Sequence, residues 1–266
     1  MKKILIIHTG GTFGMTPIEP DEQLAPGNIQ NQILQYIPEI QNLAEIDVVI
    51  PFNLDSSNIG FREWEILSDL IHNNIDNYEG FVVIHGTDTM VYSASALSFS
   101  LRAFDSPNYP LIGEIGINIQ INYEYVLNPK EAYFYEKGFS NNLSVLSIYP
   151  SLNLDNYLPV LDSEINGIIL RGFGAGHLPT ILPNWMDFLK NARDKNIMIF
   201  IGSHSRHGSV NLDLYESGKE AKDLGAISLD KMTIEAAYVK LMRIFHQTTS
   251  RQKVIEVLRT SWAGEI

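Results

Sequence analysis

Short β-branched runs alternate along the chain with longer segments in which apolar residues return every three or four positions, the pattern of alternating strands and helices. Strands are expected at Ile4–His8, Ile46–Ile50, Phe81–His85, Ser144–Tyr149, Gly167–Arg171 and Ile197–Ser203. Helices are expected at Ile29–Ile37, Arg62–Asn77, Thr89–Leu101, Pro183–Asp194, Met232–Phe245 and Gln252–Arg259. Strand followed by helix, repeated, is the order of an α/β protein built on parallel sheet. The apolar positions of MTIEAAYVKLMRIF, Met232 to Phe245, read as one buried helix face.

The texture changes between Pro107 and Asn142, where turn-forming SPNYP is followed by INIQINYEY and NPKEAYFYEKGFSNN. Polar and aromatic residues mix there without a helical period, which predicts a domain end and a linker. The expected division is an N-terminal domain over residues 1–112, a linker over 113–141 and a C-terminal domain over 142–266. No internal repeat interrupts this order.

Composition narrows the possibilities. With 266 residues, 45% of them hydrophobic, the chain can bury a core for two modest domains. A formal net charge of -12 argues against a broad phosphate-binding surface, so no nucleic-acid partner is expected. No cysteine is present, which excludes disulfides, thiolate metal sites and a cysteine nucleophile and suits a cytoplasmic protein. The lysines and apolar run of MKKILIIHTGG stop at paired glycines, so the segment reads as a first strand rather than a leader. No stretch reaches the roughly 18 to 20 apolar residues of a membrane span, and no membrane partner is expected.

The chemistry-bearing residues follow the strands. HTGGT, His8 to Thr12, ends the first strand with glycines that permit a tight turn and free N–H groups able to meet an anion or oxyanion. It has neither the dinucleotide fingerprint spacing nor a P-loop lysine. HGTDT, His85 to Thr89, follows the third strand, where Thr87 or Asp88 suits the N-cap of the next helix. A threonine hydroxyl is a poor nucleophile without a base, and Thr87 beside Asp88 lacks a proton acceptor of suitable pKa. NLDSS, Asn53 to Ser57, adds hydroxyls and a carboxylate after the second strand. Ligands of open parallel sheets bind outside the carboxyl ends of the strands, where all three loops fall. RGFGAGH places Arg171 at a strand end, and SHSRH, Ser203 to His207, reads as a loop with polar contacts because further metal ligands are missing.

TGGTFGM (Thr9 to Met15), LDSSNI (Leu54 to Ile59), GFVVIHGTDTMVYSASALSFSL (Gly80 to Leu101), SPNYP, IILRGFGAGHLP (Ile168 to Pro179) and GAISLDKMTIEAAYVKL (Gly225 to Leu241) together resemble the bacterial-type L-asparaginase family, in its type I cytoplasmic branch. The resemblance implies a larger N-terminal catalytic domain, mainly parallel sheet flanked by helices, and a smaller C-terminal parallel-sheet α/β domain. It also implies hydrolysis of L-asparagine to L-aspartate and ammonia with no metal or organic cofactor. By that resemblance Thr12 is the nucleophile, and Thr87 and Asp88 act with a lysine further along the chain. Ser56 takes the substrate α-carboxylate, with Gly11, Asp55 and Gly86 as further substrate-binding positions. Arg171 corresponds to an arginine of a regulatory asparagine site, where a planar guanidinium suits a carboxylate. A homodimer or homotetramer is implied as well.

This chain departs from the family in two places. Leu101 runs directly into RAFDSPNYP, where the family carries several more elements and the catalytic lysine. Lys130, in NPKEAY, does not match the lysine motif. The segment TPIEPDEQLAPGN, Thr16 to Asn28, suits a closing loop but lacks the family's tyrosine. Two other readings therefore stand beside the asparaginase: a catalytically silent asparagine- or aspartate-binding protein, and an asparaginase-like subunit of a tRNA-dependent amidotransferase.

Overall fold

In the computed structural model, the described residues are 1–10, 15–18, 23–26, 44–102, 113–115, 119–121, 133–180, 184–205 and 209–266, the short segments near 15–26 and 113–121 as backbone strands only. The chain divides into two compact units, Met1–Arg102 with Ala132–Lys137, and Ala103–Glu131 with Gly138–Ile266.

The first unit is organised by β1 (Lys3–His8), which lies between β4 (Glu45–Val49) and β5 (Gly80–Ile84), parallel to both. A strand flanked on both sides and covered on both faces has no solvent side, so KILIIH is a continuous apolar run rather than an alternating one. Leu5 and Ile7 pack with Leu67, Ile71 and Leu101, while Ile6 faces Ile46, Val48 and Ile84 on the other side of the sheet. Two antiparallel hairpins, β2 (Met15–Ile18) with β3 (Gln23–Pro26) and β7 (Gly113–Ile115) with β8 (Ile119–Ile121), complete the strand order before the second sheet, together with the short pair β6 (Leu101–Arg102) and β9 (Phe134–Tyr135). The expected helix Ile29–Ile37 lies outside the described residues.

Helix α1 (Phe61–Asn74) begins where the Glu63 carboxylate accepts the Gly60 backbone N–H at 2.9 Å, and it buries Trp64, Leu67, Ser68 and Ile71. The Trp64 indole N–H donates to Ser93 Oγ at 2.9 Å and ties α1 to α2 (Met90–Ser100). Serines 93, 95, 98 and 100 of α2 are buried, and Ser95 closes on its own helix through the Val91 carbonyl at 2.8 Å. Buried hydroxyls on a helix are tolerated when they bond the preceding turn or a neighbour in this way.

The second unit carries a parallel sheet in the order β10 (Leu143–Ser147), β11 (Gly167–Gly172), β12 (Met198–Ser203) and β13 (Ile227–Ser228). Helices α3 (Trp185–Asp194), α4 (Glu216–Asp223), α5 (Ile234–Gln247) and α6 (Arg251–Leu258) surround it. The N-terminal parallel sheet has three described strands and this one four. Trp185, Phe188, Leu189 and Ala192 form the apolar stripe of α3 against Ile168, Leu170, Ile199 and Ile201. Thr233 caps α5, its hydroxyl accepting from the Ala236 N–H at 3.2 Å. Short α4 and β13 are absent from the expected elements, because ESGKEAKD has few apolar residues and IS is too brief for a period.

Lys240 on α5 is wholly buried and spends its ammonium on the Leu258 carbonyl at 3.0 Å, the Thr260 carbonyl at 2.6 Å and the Glu265 carboxylate. Glu265 in turn accepts the backbone N–H groups of Trp262 and Ala263. A charge that deep is tolerable only when paired and fully hydrogen-bonded, and here the C-terminal residues supply the pairing. Among the described residues no helix is long and apolar enough to cross a membrane.

Candidate active site

The strand order β4-β1-β5 sends the connection leaving β1 to one side, and the connection leaving β4 across to the other. Such a reversal parts the loops between the carboxyl ends of β1 and β5, where open parallel sheets form their crevice. The second sheet runs β10-β11-β12-β13 without reversal, so the first is the one with a crevice of this kind.

The loop leaving β1 is stitched to both neighbours. Thr9 donates its backbone N–H and its hydroxyl to the Ile84 carbonyl, at 3.0 and 3.1 Å, and its own carbonyl accepts the Leu54 N–H at 3.0 Å. Gly10 follows with φ +112°, and a Cβ built on it would stand 2.2 Å from the Leu54 carbonyl oxygen. Only glycine lets the turn pass so close to the neighbouring loop. Gly11 and Thr12, which follow it, lie outside the described residues. Of the expected closing segment Thr16–Asn28, the described part is the β2–β3 hairpin.

The loops after β4 and β5 meet at Ser56, which is only 3% exposed. Its hydroxyl donates to Asp88 Oδ2 at 3.2 Å and accepts the Asp88 backbone N–H at 3.3 Å. The Thr89 hydroxyl donates to the Ser56 carbonyl at 2.6 Å. Residues 32 and 33 positions apart are thereby held as one unit. Asp55 caps the 3-10 turn Ser56–Asn58, its Oδ1 accepting the Ser57 N–H at 2.8 Å and the Ser57 hydroxyl at 2.7 Å. Those two bonds hold the exposed Asp55 carboxyl below its ordinary value. Gly86 offers its carbonyl to His85, and Thr87 stands exposed in the turn before α2.

The expectation that Thr87 or Asp88 caps α2 is corrected. The N-cap position is Thr89, which makes no side-chain capping bond. Its hydroxyl points instead to the neighbouring loop, and the Asp88 carboxylate is engaged by Ser56. Joining the two loops takes precedence here over closing the helix end.

Three polar side chains at the same strand ends are not singled out by the sequence. His8 is 1% exposed, and its Nδ1 accepts the Gly10 N–H at 3.3 Å, which places the proton on Nε2. Burial lowers its pKa below the ordinary 6.5, keeping the ring neutral. His85 has the opposite tautomer, since Nδ1 lies 2.7 Å from the Gly86 carbonyl and must donate. Among the described residues, His8 Nε2, His85 Nε2 and Asn53 Oδ1 are buried without a hydrogen-bond partner. Each such atom costs on the order of 1–3 kcal/mol. The available signal is their position immediately after apolar strands.

Elsewhere, Arg171 is next to last in β11, its Nε buried and, among the described residues, unpartnered. His204 of SHSRH approaches the Ile148 carbonyl at 2.9 Å and stacks on Phe173, while His207 lies outside the described residues. Among the described residues no group of three histidine, cysteine or carboxylate side chains could hold a metal ion.

Two family models match this chain, Asparaginase, N-terminal, over residues 3–107, and Glutaminase/Asparaginase C-terminal domain, over residues 142–258. The chain belongs to the asparaginase family. Among curated relatives it is 25% identical to the D subunit of the glutamyl-tRNA(Gln) amidotransferase of Saccharolobus solfataricus, over 99% of this chain and 76% of that one. It is also 25% identical to the same amidotransferase polypeptide of Sulfolobus acidocaldarius, over 99% of this chain and 75% of the other. Among solved structures it is similar to the thermostable L-asparaginase of Thermococcus kodakarensis, with a TM-score of 0.87, 23% identity and 99% coverage of both chains. L-asparaginase I of Vibrio cholerae gives 0.84 and 24%, over 100% of this chain and 99% of that one. These likenesses show a shared two-domain α/β fold. The alignment to the Saccharolobus solfataricus protein spans 341 positions against the 266 residues here, so at least 75 positions of that relative have no counterpart in this chain.

Proposed function

We propose that this protein binds L-asparagine at the carboxyl ends of β1, β4 and β5 and hydrolyses its side-chain amide to L-aspartate and ammonia. The observation that carries the reading is the Ser56–Asp88 pair, a buried hydroxyl and an exposed carboxylate held together across two loops. An amino acid presents a carboxylate and an ammonium side by side. The Ser56 hydroxyl can turn its proton from Asp88 to the substrate carboxylate while still accepting the Asp88 N–H. The freed Asp88 carboxylate then receives the ammonium.

In this reading Thr12 attacks the amide carbonyl, forming an Oγ–C bond as its hydroxyl proton is given up towards the amide nitrogen, and the oxyanion is met by backbone N–H groups of the loop after β1. The C–N bond breaks, the amide nitrogen leaves as ammonia carrying the proton given up by Thr12, and water then hydrolyses the ester, its oxygen going to L-aspartate and one of its protons returning to the Thr12 hydroxyl. Thr87 and Asp88 form the second polar unit of the site, without the family's lysine. With the family's lysine motif missing after Leu101, turnover is expected to be slow relative to binding. Assembly into two or four copies, with Gly86 and Asp55 lining the substrate site and Arg171 in a regulatory one, belongs to the same reading.

The test is ammonia release by the purified protein with L-asparagine and with L-glutamine, alongside calorimetric binding of L-aspartate. Release with asparagine supports the hydrolase. Binding without release supports the silent amino-acid-binding protein, and neither binding nor release overturns both. A second reading, a polypeptide that feeds ammonia to a tRNA-dependent amidotransferase, is favoured by the similarity to the two amidotransferase relatives. It requires a co-purifying partner that raises ammonia release.

A further inference from the structure

At the end of the second sheet opposite Arg171 and Ser203, a cavity of about 400 Å³ opens between the C-terminus of α3, the C-terminus of α4 and the start of α6. Its floor is apolar, from buried Ile197 and Met198 with half-buried Leu224. Its rim carries two arginines, Arg193 and Arg251, and one carboxylate, Asp223. The two guanidinium groups are matched by the carboxylates of Asp223 and Asp194, so this pit is charge-balanced in a chain of net charge -12.

The two cations are placed but not used up. Arg251 donates to the Gly225 carbonyl, and Gly225 turns with φ +93° so closely that an added Cβ would lie 3.0 Å from Arg251 Nη2. Among the described residues that bond is the one Arg251 donates, which leaves four of its five guanidinium donors for another acceptor. Arg193 donates through Nε and Nη2 to Asp194 Oδ1, both at 3.0 Å, in an exposed pair of the kind that contributes little and exchanges readily. Asp223 has no salt bridge among the described residues. A second negative charge on a ligand would meet Asp223 and Asp194, whereas an ammonium would be welcomed there.

We propose that this cavity binds a free α-amino acid with an aliphatic side chain, its carboxylate between Arg193 and Arg251, its ammonium toward Asp223 and its side chain over Ile197, Met198 and Leu224. The volume lies within the range of small-molecule sites and leaves room for retained water. The site lies wholly within the second unit and does not depend on the reading of Ser56 and Asp88.

The experiment is calorimetric titration with three probes of one shape: L-leucine, 4-methylpentanoate without the ammonium, and 3-methylbutan-1-amine without the carboxylate. Saturable binding of L-leucine, weaker binding of the acid and none of the amine are expected. Arg251→Met and Arg193→Met should each weaken L-leucine binding about tenfold or more, as for loss of a charge-assisted contact. Asp223→Asn should abolish the preference for L-leucine over the acid. In case Arg251→Met disturbs the Gly225 turn, amide shifts of the unaltered protein supply a second measurement. Shifts should cluster at Leu224, Gly225 and Thr249 on adding L-leucine. Shifts confined to the Ser56 loop, equal binding of the amine, or no saturable binding at millimolar concentration would overturn the proposal.

Discussion

Ser56 and Asp88 exchange hydrogen bonds in both directions, the serine hydroxyl donating to the carboxylate at 3.2 Å and accepting the aspartate backbone N–H at 3.3 Å. In the proposed function a substrate carboxylate competes with Asp88 for one proton. Ser56→Ala leaves the Asp88 N–H without its acceptor and deprives the substrate of a donor. Asparagine or aspartate affinity should fall by roughly tenfold, the usual worth of a hydrogen bond to a charged group. Calorimetry on the two proteins measures it, and unchanged affinity would remove Ser56 from the site.

Thr12→Val retains shape and loses the hydroxyl, so ammonia release should fall by about a hundredfold or more while the thermal midpoint holds. Retained turnover would mean a different nucleophile. Asp88→Asn should impair substrate binding without reducing helix content, because Asp88 does not cap α2. Circular dichroism beside a binding assay separates the two effects.

Gly10→Ala would drive a Cβ to 2.2 Å from the Leu54 carbonyl in a backbone at φ +112°. The β1 loop has to move away from the β4 loop, and both strain and lost bonds contribute. A loss of roughly 2–3 kcal/mol in denaturant stability is expected, with weakened substrate affinity. A stability within error of the unaltered protein would show that the loop can be repositioned freely.

Lys240→Met strands the Glu265 carboxylate in the interior and should cost about 3–5 kcal/mol. Adding Glu265→Gln should recover part of that loss, since the remaining group is neutral. Removing Glu265 and Ile266 leaves the Lys240 ammonium unpaired and should be comparably damaging. Urea unfolding of these variants and of Glu265→Gln alone closes the comparison; additive losses in the double variant would rule out direct coupling.

The same pair sets an acid limb. Burial pushes the Glu265 carboxyl up, but the Lys240 charge and hydrogen bonds from Lys240 and the Ala263 backbone together leave it below its ordinary 4.5. In the unfolded chain Glu265 takes its proton first, so its contribution is present above pH 4.5 and is lost as pH falls through the lower folded value. His8, lowered by burial from 6.5, has the same sign at higher pH, with stability beginning to fall below about 6.5. Stability measured from pH 7 to 3 should decline in two stages, the lower one flattened by Glu265→Gln and the upper by His8→Gln.

Strands Ile4–His8, Gly167–Arg171 and Ile197–Ser203 are legible because their apolar runs are long enough to show a period, and each observed strand lies within a residue of that reading. The cap differs from its expectation for a physical reason. Propensity places Thr87 or Asp88 at the helix start, but Ser56, distant in sequence, competes for Asp88, and its carbonyl takes the Thr89 hydroxyl. His8, Asn53 and His85 escape a reading of the sequence because an unpartnered buried atom is a property of packing, invisible in a string of residue types.

Local pattern determined the alternation of strand and helix, the placing of HTGGT, NLDSS and HGTDT after strands, and the family to which the chain belongs. Each depends on nearest neighbours or on short motifs. Tertiary structure alone decided that β1 lies between β4 and β5, that the Ser56 hydroxyl donates to Asp88, and that Lys240 is neutralised by Glu265. These depend on contacts tens of positions apart, where chain closure and desolvation rather than local preference set the energy.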